Sequence, residues 1–268
     1  MKKLFLLICL LWGVKASCQD ESNLKLDVYQ IKVTEGHATL VVVKTVVGST
    51  TNILSSTLID AGKDITNDAN LITGILENVA DAKLDNVFIT HYDADHFNGL
   101  KSNTGSSTGI LAKRCGDNNT LESSTNNELH IYRSHDDAAT NNPKPEIHKL
   151  IDQLDEFEDE GRLSDINWNV NTPTLNLSPH TNSSIDNKVK LITLAVNGDL
   201  KNSELKLKIK NKNSRSGVML ITWGDFSFLI QGDLQAGGGS SQKIGRTNAY
   251  YRTTDRTDTK RIPANWDL

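Results

Sequence analysis

The chain has 268 residues, a formal charge of −4 at pH 7, 23% charged residues and 37% hydrophobic ones. That length suits one α/β unit with a substantial core, or two small domains. The weak negative charge excludes a general polyanion-binding field, so any nucleic-acid contact would need a local basic patch, and no strong one is visible.

In chain order, Lys2 and Lys3 precede the apolar run Leu4 to Trp12 and the small residues Ala16 and Ser17, so residues 1–17 read as an export signal. The run is too short for a comfortable transmembrane helix. Cleavage after Ala16 would yield a periplasmic or secreted protein with no transmembrane helix in the mature chain. Lipidation of Cys18 is the alternative, with Lys15 standing where lipoprotein signals usually carry an apolar residue. Spacing alone does not settle whether Cys18 pairs with Cys115. No CxxC or Cys/His spacing suggests a structural zinc.

Strands are expected at Leu26 to Val33, Ala38 to Val43 after a turn at Gly36, and Thr57 to Asp60. A helix follows from Asn67 to Val79, with Leu71, Ile72, Ile75, Leu76 and Val79 on one face. A strand from Val87 to Thr90 comes next. Residues from about 101 to 187 turn rich in Asn, Ser, Thr and Asp and read as an insertion flanking a cleft. Within it Pro145 to Glu160 forms a helix whose stripe of Ile147, Leu150, Ile151, Leu154 and Phe157 is packing surface. Strands then resume at Val189 to Val196, Gly217 to Thr222 and Phe226 to Ile230.

The segment Thr90-His91-Tyr92-Asp93-Ala94-Asp95-His96 places four metal-capable side chains in six residues where an apolar strand surfaces. In extended chain His91, Asp93 and Asp95 share a face, and a turn would bring His96 beside them. Two imidazoles with two carboxylates suit zinc, manganese or iron(II) better than calcium or magnesium, and suffice to start two metal sites. Asp233 follows a later strand, again at its end.

This HxDxDH segment resembles the first metal motif of the metallo-β-lactamase superfamily, commonly HxHxDH. The form with Asp93 is similar to the hydrolase domain attached to the DNA-uptake competence protein ComEC. Supporting matches are Thr34-Glu35-Gly36-His37-Ala38, with His37 where an acid is usual, and Leu58-Ile59-Asp60-Ala61-Gly62. Two more are the Asn-x-x-Ser of Asn213 to Ser216 and the Gly-Asp of Gly232-Asp233. The resemblance implies an α/β fold, the metallo-β-lactamase-like αββα sandwich, spanning residues 24–268. It implies two divalent metals, zinc first with manganese or iron as alternatives. His91 and Asp93 would bind one, Asp95 and His96 the other, and Asp233 would bridge them. Asp95 would also orient the nucleophile, a water acidified between the cations. Asp60 would brace the site, and His37 reads as a hydrogen-bonded structural residue more than a member of the cleft.

Relatives of this type carry a His-His-Gly-Ser element after the bridging aspartate. Here Asp233 is followed by Ala236-Gly237-Gly238-Gly239-Ser240-Ser241, and the other histidines, His130, His135, His148 and His180, lie in the insertion and read as surface residues. Three explanations stay open: a C-terminally incomplete member, a ligand replaced by water or an insertion histidine, or an inactive descendant. The functional expectation is an exported metal-dependent hydrolase, with phosphodiester or nucleic-acid substrates ahead of lactams, thioesters and other small-molecule esters. The alternative is a non-catalytic envelope or binding protein.

Overall fold

The computed structural model describes residues 23–102, 108–117, 119–124, 128–134, 144–203 and 215–233. All belong to the compact unit Met1–Leu234. The segment read as an export signal, with Cys18, as well as His135, Asn213, Ser214 and Ala236 to Ser241, lies outside the described residues.

A six-stranded sheet runs in the order β1 (Leu24–Gln30), β2 (Thr39–Val47), β3 (Thr50–Ile59), β4 (Asn86–Phe88), β5 (Leu129–Arg133), β6 (Leu163–Asn167). The first three strands pair antiparallel and β3 to β6 pair parallel. The second sheet holds β7 (Leu175–Asn176), β8 (Val189–Val196), β10 (Val218–Trp223) and β11 (Phe226–Ile230), with β9 (Asp199–Leu200) on β8. Among the described residues the helices are α1 (Asn67–Val79), the single turn α2 (Ala94–Phe97), α3 (Ile110–Cys115) and α4 (Pro145–Asp159).

The continuous apolar run in β2 follows from burial on both faces. Leu40 and Val42 pack into a core shared with Ile72 and Leu76 of α1, Leu111 of α3 and Leu150 and Leu154 of α4. Val41 and Val43 face the opposite way, into a core shared with Leu191, Met219 and Ile221 of the second sheet. In β4 the same alternation sends Val87 toward the helices and Phe88 toward the second sheet. There Phe88 stacks on Tyr132 with ring centroids 4.3 Å apart and meets the edge of Trp168 at 5.1 Å. The expected α/β class is thus built as three layers among the described residues, helices on sheet on sheet, and none of the described helices covers the outer face of the second sheet. No described helix is long and apolar enough to cross a membrane.

Several expectations are corrected. Within residues 101–187, read as an insertion flanking a cleft, β5 and β6 extend the sheet and α4 covers it, strands and a sheet layer the sequence reading did not place there. Their short strands are interrupted by polar turns, and their pairing depends on neighbours distant in sequence. The strand expected at Thr57 begins at Thr50 and forms a hairpin with a longer β2, turning at Gly48. Its middle is polar yet buried, because the Asp85 carboxylate accepts the Ser56 N–H at 2.8 Å while the Ser56 hydroxyl donates to Lys83 O. Helix α1 has the expected bounds, but its buried stripe is Ala69, Ile72 and Leu76, leaving Leu71 exposed.

Candidate metal centre

Beyond the C-terminal ends of the parallel strands β3 and β4, where ligands of open α/β sheets gather, the chain makes two adjacent turns. Asp60 ends β3 with φ of 57°, a left-handed conformation that aspartate tolerates better than most residues. Its buried carboxylate accepts the Thr90 backbone N–H at 2.8 Å, the Thr90 hydroxyl at 2.6 Å and His96 Nδ1–H at 2.7 Å. An ionised carboxylate only accepts, so the His96 proton resides on Nδ1 and Nε2 is left for another partner.

The Thr90 hydroxyl, having donated to Asp60, presents a lone pair to His91 Nδ1 at 3.2 Å. Ser216 Oγ stands at the same distance from that nitrogen and accepts the Asp233 backbone N–H at 3.2 Å. His91 is thereby also set with Nε2 toward the site. Gly217 N–H donates to Thr90 O at 2.8 Å, bonding the start of β10 to the end of β4 and bringing the two sheets together at this point.

The consequence is a pair of imidazoles with ring centroids 4.1 Å apart. Both Nε2 atoms are buried and lack a hydrogen-bond partner. Such orphaned groups call for explanation. One donor atom each from His91, His96 and Asp233 fall within 4.8 Å of one another. Asp233 Oδ1 faces His96 Nε2 across 3.5 Å, longer than an ordinary hydrogen bond. Asp93 Oδ2 is 3.7 Å from His91 Nε2, and Asp95 Oδ2 is 3.9 Å from His96 Nε2. The extended geometry proposed for the cluster stops at Asp93, because α2 begins at Ala94 and turns Asp95 and His96 around.

Electrostatics agree with a site built for a cation. Burial, the largest single influence on His96, disfavours the imidazolium, but Asp60 and then Asp233 together outweigh it and raise the pKa to about 10. Asp233 is held far below the usual carboxylate range, first by His37 and then by His96. A divalent ion would take the place of the Nε2 proton. The buried nitrogens, the nearby carboxylates and the absence of any cysteine in the cluster fit a borderline-hard metal with mixed nitrogen and oxygen ligands.

Asp60 braces the site as expected, and Ser216 of the Asn-x-x-Ser match touches both His91 and Asp233. Thr90 was not anticipated; its signal was a hydroxyl residue between the apolar strand and the first histidine. His37, read as a hydrogen-bonded structural residue, lies with Nε2 3.3 Å from Asp233 Oδ1, within hydrogen-bonding reach. Of the other described histidines, His148 is exposed on α4, His180 Nδ1 accepts the Asn182 N–H in a surface loop, and neither they nor His130 join the group.

No protein-family model matches the chain, and no curated protein does. Among solved structures it is similar to a β-lactamase domain protein from Burkholderia ambifaria, at 10% identity and a TM-score of 0.33. That match covers 74% of this chain and 50% of that one, so the chain spans about half the neighbour's length.

Proposed function

We propose that the chain is an exported, metal-dependent hydrolase of the metallo-β-lactamase type, acting on phosphodiester or nucleic-acid-type substrates. The observation that carries this reading is the pair of buried Nε2 atoms of His91 and His96, which make no hydrogen bond of ordinary length and lie beside Asp233. Two buried imidazoles whose other nitrogens are fixed by Asp60, Thr90 and Ser216 have the arrangement of ligands oriented from behind. Structural histidines would find partners on both nitrogens.

In this reading His91, His96 and Asp233 hold divalent cations, with Asp93 and Asp95 completing the set. When bound, such cations supply a Lewis acid and acidify water. The protein's own part is to hold the two rings with Nε2 aimed into the site, which Asp60 does through His96 Nδ1 and Thr90 does through His91 Nδ1. Asp95, on the one-turn helix and partly exposed, accepts a proton from an incoming water or orients it. Asp93 in place of a third clustered histidine favours phosphodiester over lactam chemistry, and the export signal at residues 1–17 supports a periplasmic or secreted location.

The test is metal content and turnover in protein purified without chelator. Stoichiometric zinc, manganese or iron is expected, together with hydrolysis of bis(p-nitrophenyl) phosphate that chelation abolishes and metal restores. Folded protein with no bound metal would sink the proposal. Metal without turnover of any phosphodiester, lactam or thioester would leave the non-catalytic binding role.

A further inference from the structure

The β1–β2 connection places a third imidazole at the rim of the centre. We propose that His37 is a metal ligand that shares a cation with Asp233, an inference resting on the metal-dependent reading above. His37 Nε2 is 3.3 Å from Asp233 Oδ1, and its ring centroid is 5.4 Å from that of His96. Zinc–nitrogen and zinc–oxygen bonds near 2.0–2.1 Å at tetrahedral angles set two donor atoms about 3.3 Å apart. The His37–Asp233 pair therefore already has the separation of two ligands on one ion, as closely as the His96–Asp233 pair does.

The placement of His37 is fixed from several sides, although its side chain is half exposed. The buried Asp68 carboxylate accepts the Thr34 N–H and hydroxyl, each at 2.7 Å, with one oxygen. Its other oxygen accepts the N–H groups of Lys63 at 2.9 Å and Asp64 at 2.8 Å, tying this connection to the loop after β3. Gly62 N–H donates to His37 O at 3.1 Å. Gly36, with φ of 85°, lies so close to α2 that an added Cβ would stand 1.8 Å from Asp95 O. A surface histidine with no task would not need its backbone bonded to the loop that carries Asp60 and pressed onto the turn that carries Asp95. A third imidazole also moves the donor set further toward zinc and away from calcium or magnesium.

The experiment compares the full chain with His37→Ala and His37→Gln, each purified without chelator and confirmed folded by circular dichroism. Zinc per chain is measured by plasma emission, zinc affinity by competition with a colorimetric chelator, and coordination by the visible bands of cobalt(II)-loaded protein. Both variants should lose zinc affinity by at least about tenfold or lose an equivalent of metal, with altered cobalt bands. Glutamine restores a hydrogen-bond donor toward Asp233 but not an imidazole. Recovery of wild-type affinity in His37→Gln would overturn the ligand assignment in favour of a positioning role, and wild-type behaviour in both variants would overturn it outright. A wild-type chain that binds no metal would instead refute the parent reading.

Discussion

Asp60→Asn isolates the device on which the centre depends. Asparagine is nearly isosteric and tolerates the left-handed φ of 57° at this position, so the turn itself is preserved. The amide oxygen can still accept the Thr90 N–H, held at 2.8 Å by Asp60 Oδ1. The amide nitrogen then stands where Oδ2 accepted both the Thr90 hydroxyl at 2.6 Å and His96 Nδ1–H at 2.7 Å. A donor in that place cannot accept from Nδ1, so the His96 proton moves to Nε2, the nitrogen the metal needs. Thr90, now accepting from the amide, turns its own hydroxyl proton toward His91 Nδ1 and favours the wrong tautomer there as well.

Loss of such an orienting partner typically costs 10- to 100-fold in metal affinity, about 1.4–2.7 kcal/mol. The broken hydrogen bond to a charged group costs a further ~2 kcal/mol of folding stability in the metal-free protein. At roughly 2–4 °C per kcal/mol for a domain of this size, that lowers the Tm by about 4–8 °C. Chelator competition gives the affinity and thermal unfolding with excess chelator gives the stability. A folded Asp60→Asn protein with wild-type zinc affinity would refute the argument that the Asp60 carboxylate sets the His96 tautomer.

Asp95→Ala should lose both metal and turnover, read by plasma emission and phosphodiester hydrolysis; retained metal with lost turnover would confine Asp95 to the nucleophile. Gly36→Ala, strained at φ of 85° and driven into Asp95 O, should destabilise by at least about 2 kcal/mol in urea unfolding, and an unchanged midpoint would mean the turn is not seated on α2. Burial holds the Cys115 thiol up at about 11, so peptide mapping after iodoacetamide at pH 8 should find Cys115 unmodified in native protein and labelled only after denaturation. The raised pKa of His96 means its contribution to the metal-free protein is complete below about pH 6.5 and fades as pH rises toward 10. The Tm advantage of chelated wild type over chelated His96→Gln should shrink across that window, and a constant difference would contradict the ion-pair account.

The parts of the fold legible in sequence were those with local periodicity or uninterrupted apolar runs. Helix α1 announced its bounds through spacing, and α4 through its Pro entry and apolar stripe. Strand β8 was legible from its apolar run, but β5 and β6 were not. Each is a five-residue strand, and their parallel pairing with each other and with β4 depends on partners far away in sequence, information absent from a local window. Thr50 to Ser56 failed as a strand signal because its first residues are polar and exposed and the buried Ser56 is satisfied by Asp85, a partner visible only once 29 residues of separation have been closed. The centre divides along the same line. HxDxDH was visible because its four groups are neighbours in sequence, whereas Thr90 and His37 act through contacts that only folding creates.

That division also explains the site's construction. The two buried imidazoles come from one segment, yet their orientation is set by Asp60 at the end of β3, by Thr90 at the end of β4 and by Ser216 ahead of β10. Asp233 follows β11, and His37 arrives from the β1–β2 connection. No single loop can therefore move a ligand without straining a hydrogen bond from another strand end. The carboxylates of Asp93, Asp95 and Asp233 remain partly exposed, while the two imidazoles are buried. Under the proposed function, the buried nitrogens fixed from behind and the acidic oxygens at the rim would divide the work: the first would hold a cation, and the second would leave room for water and substrate to reach it.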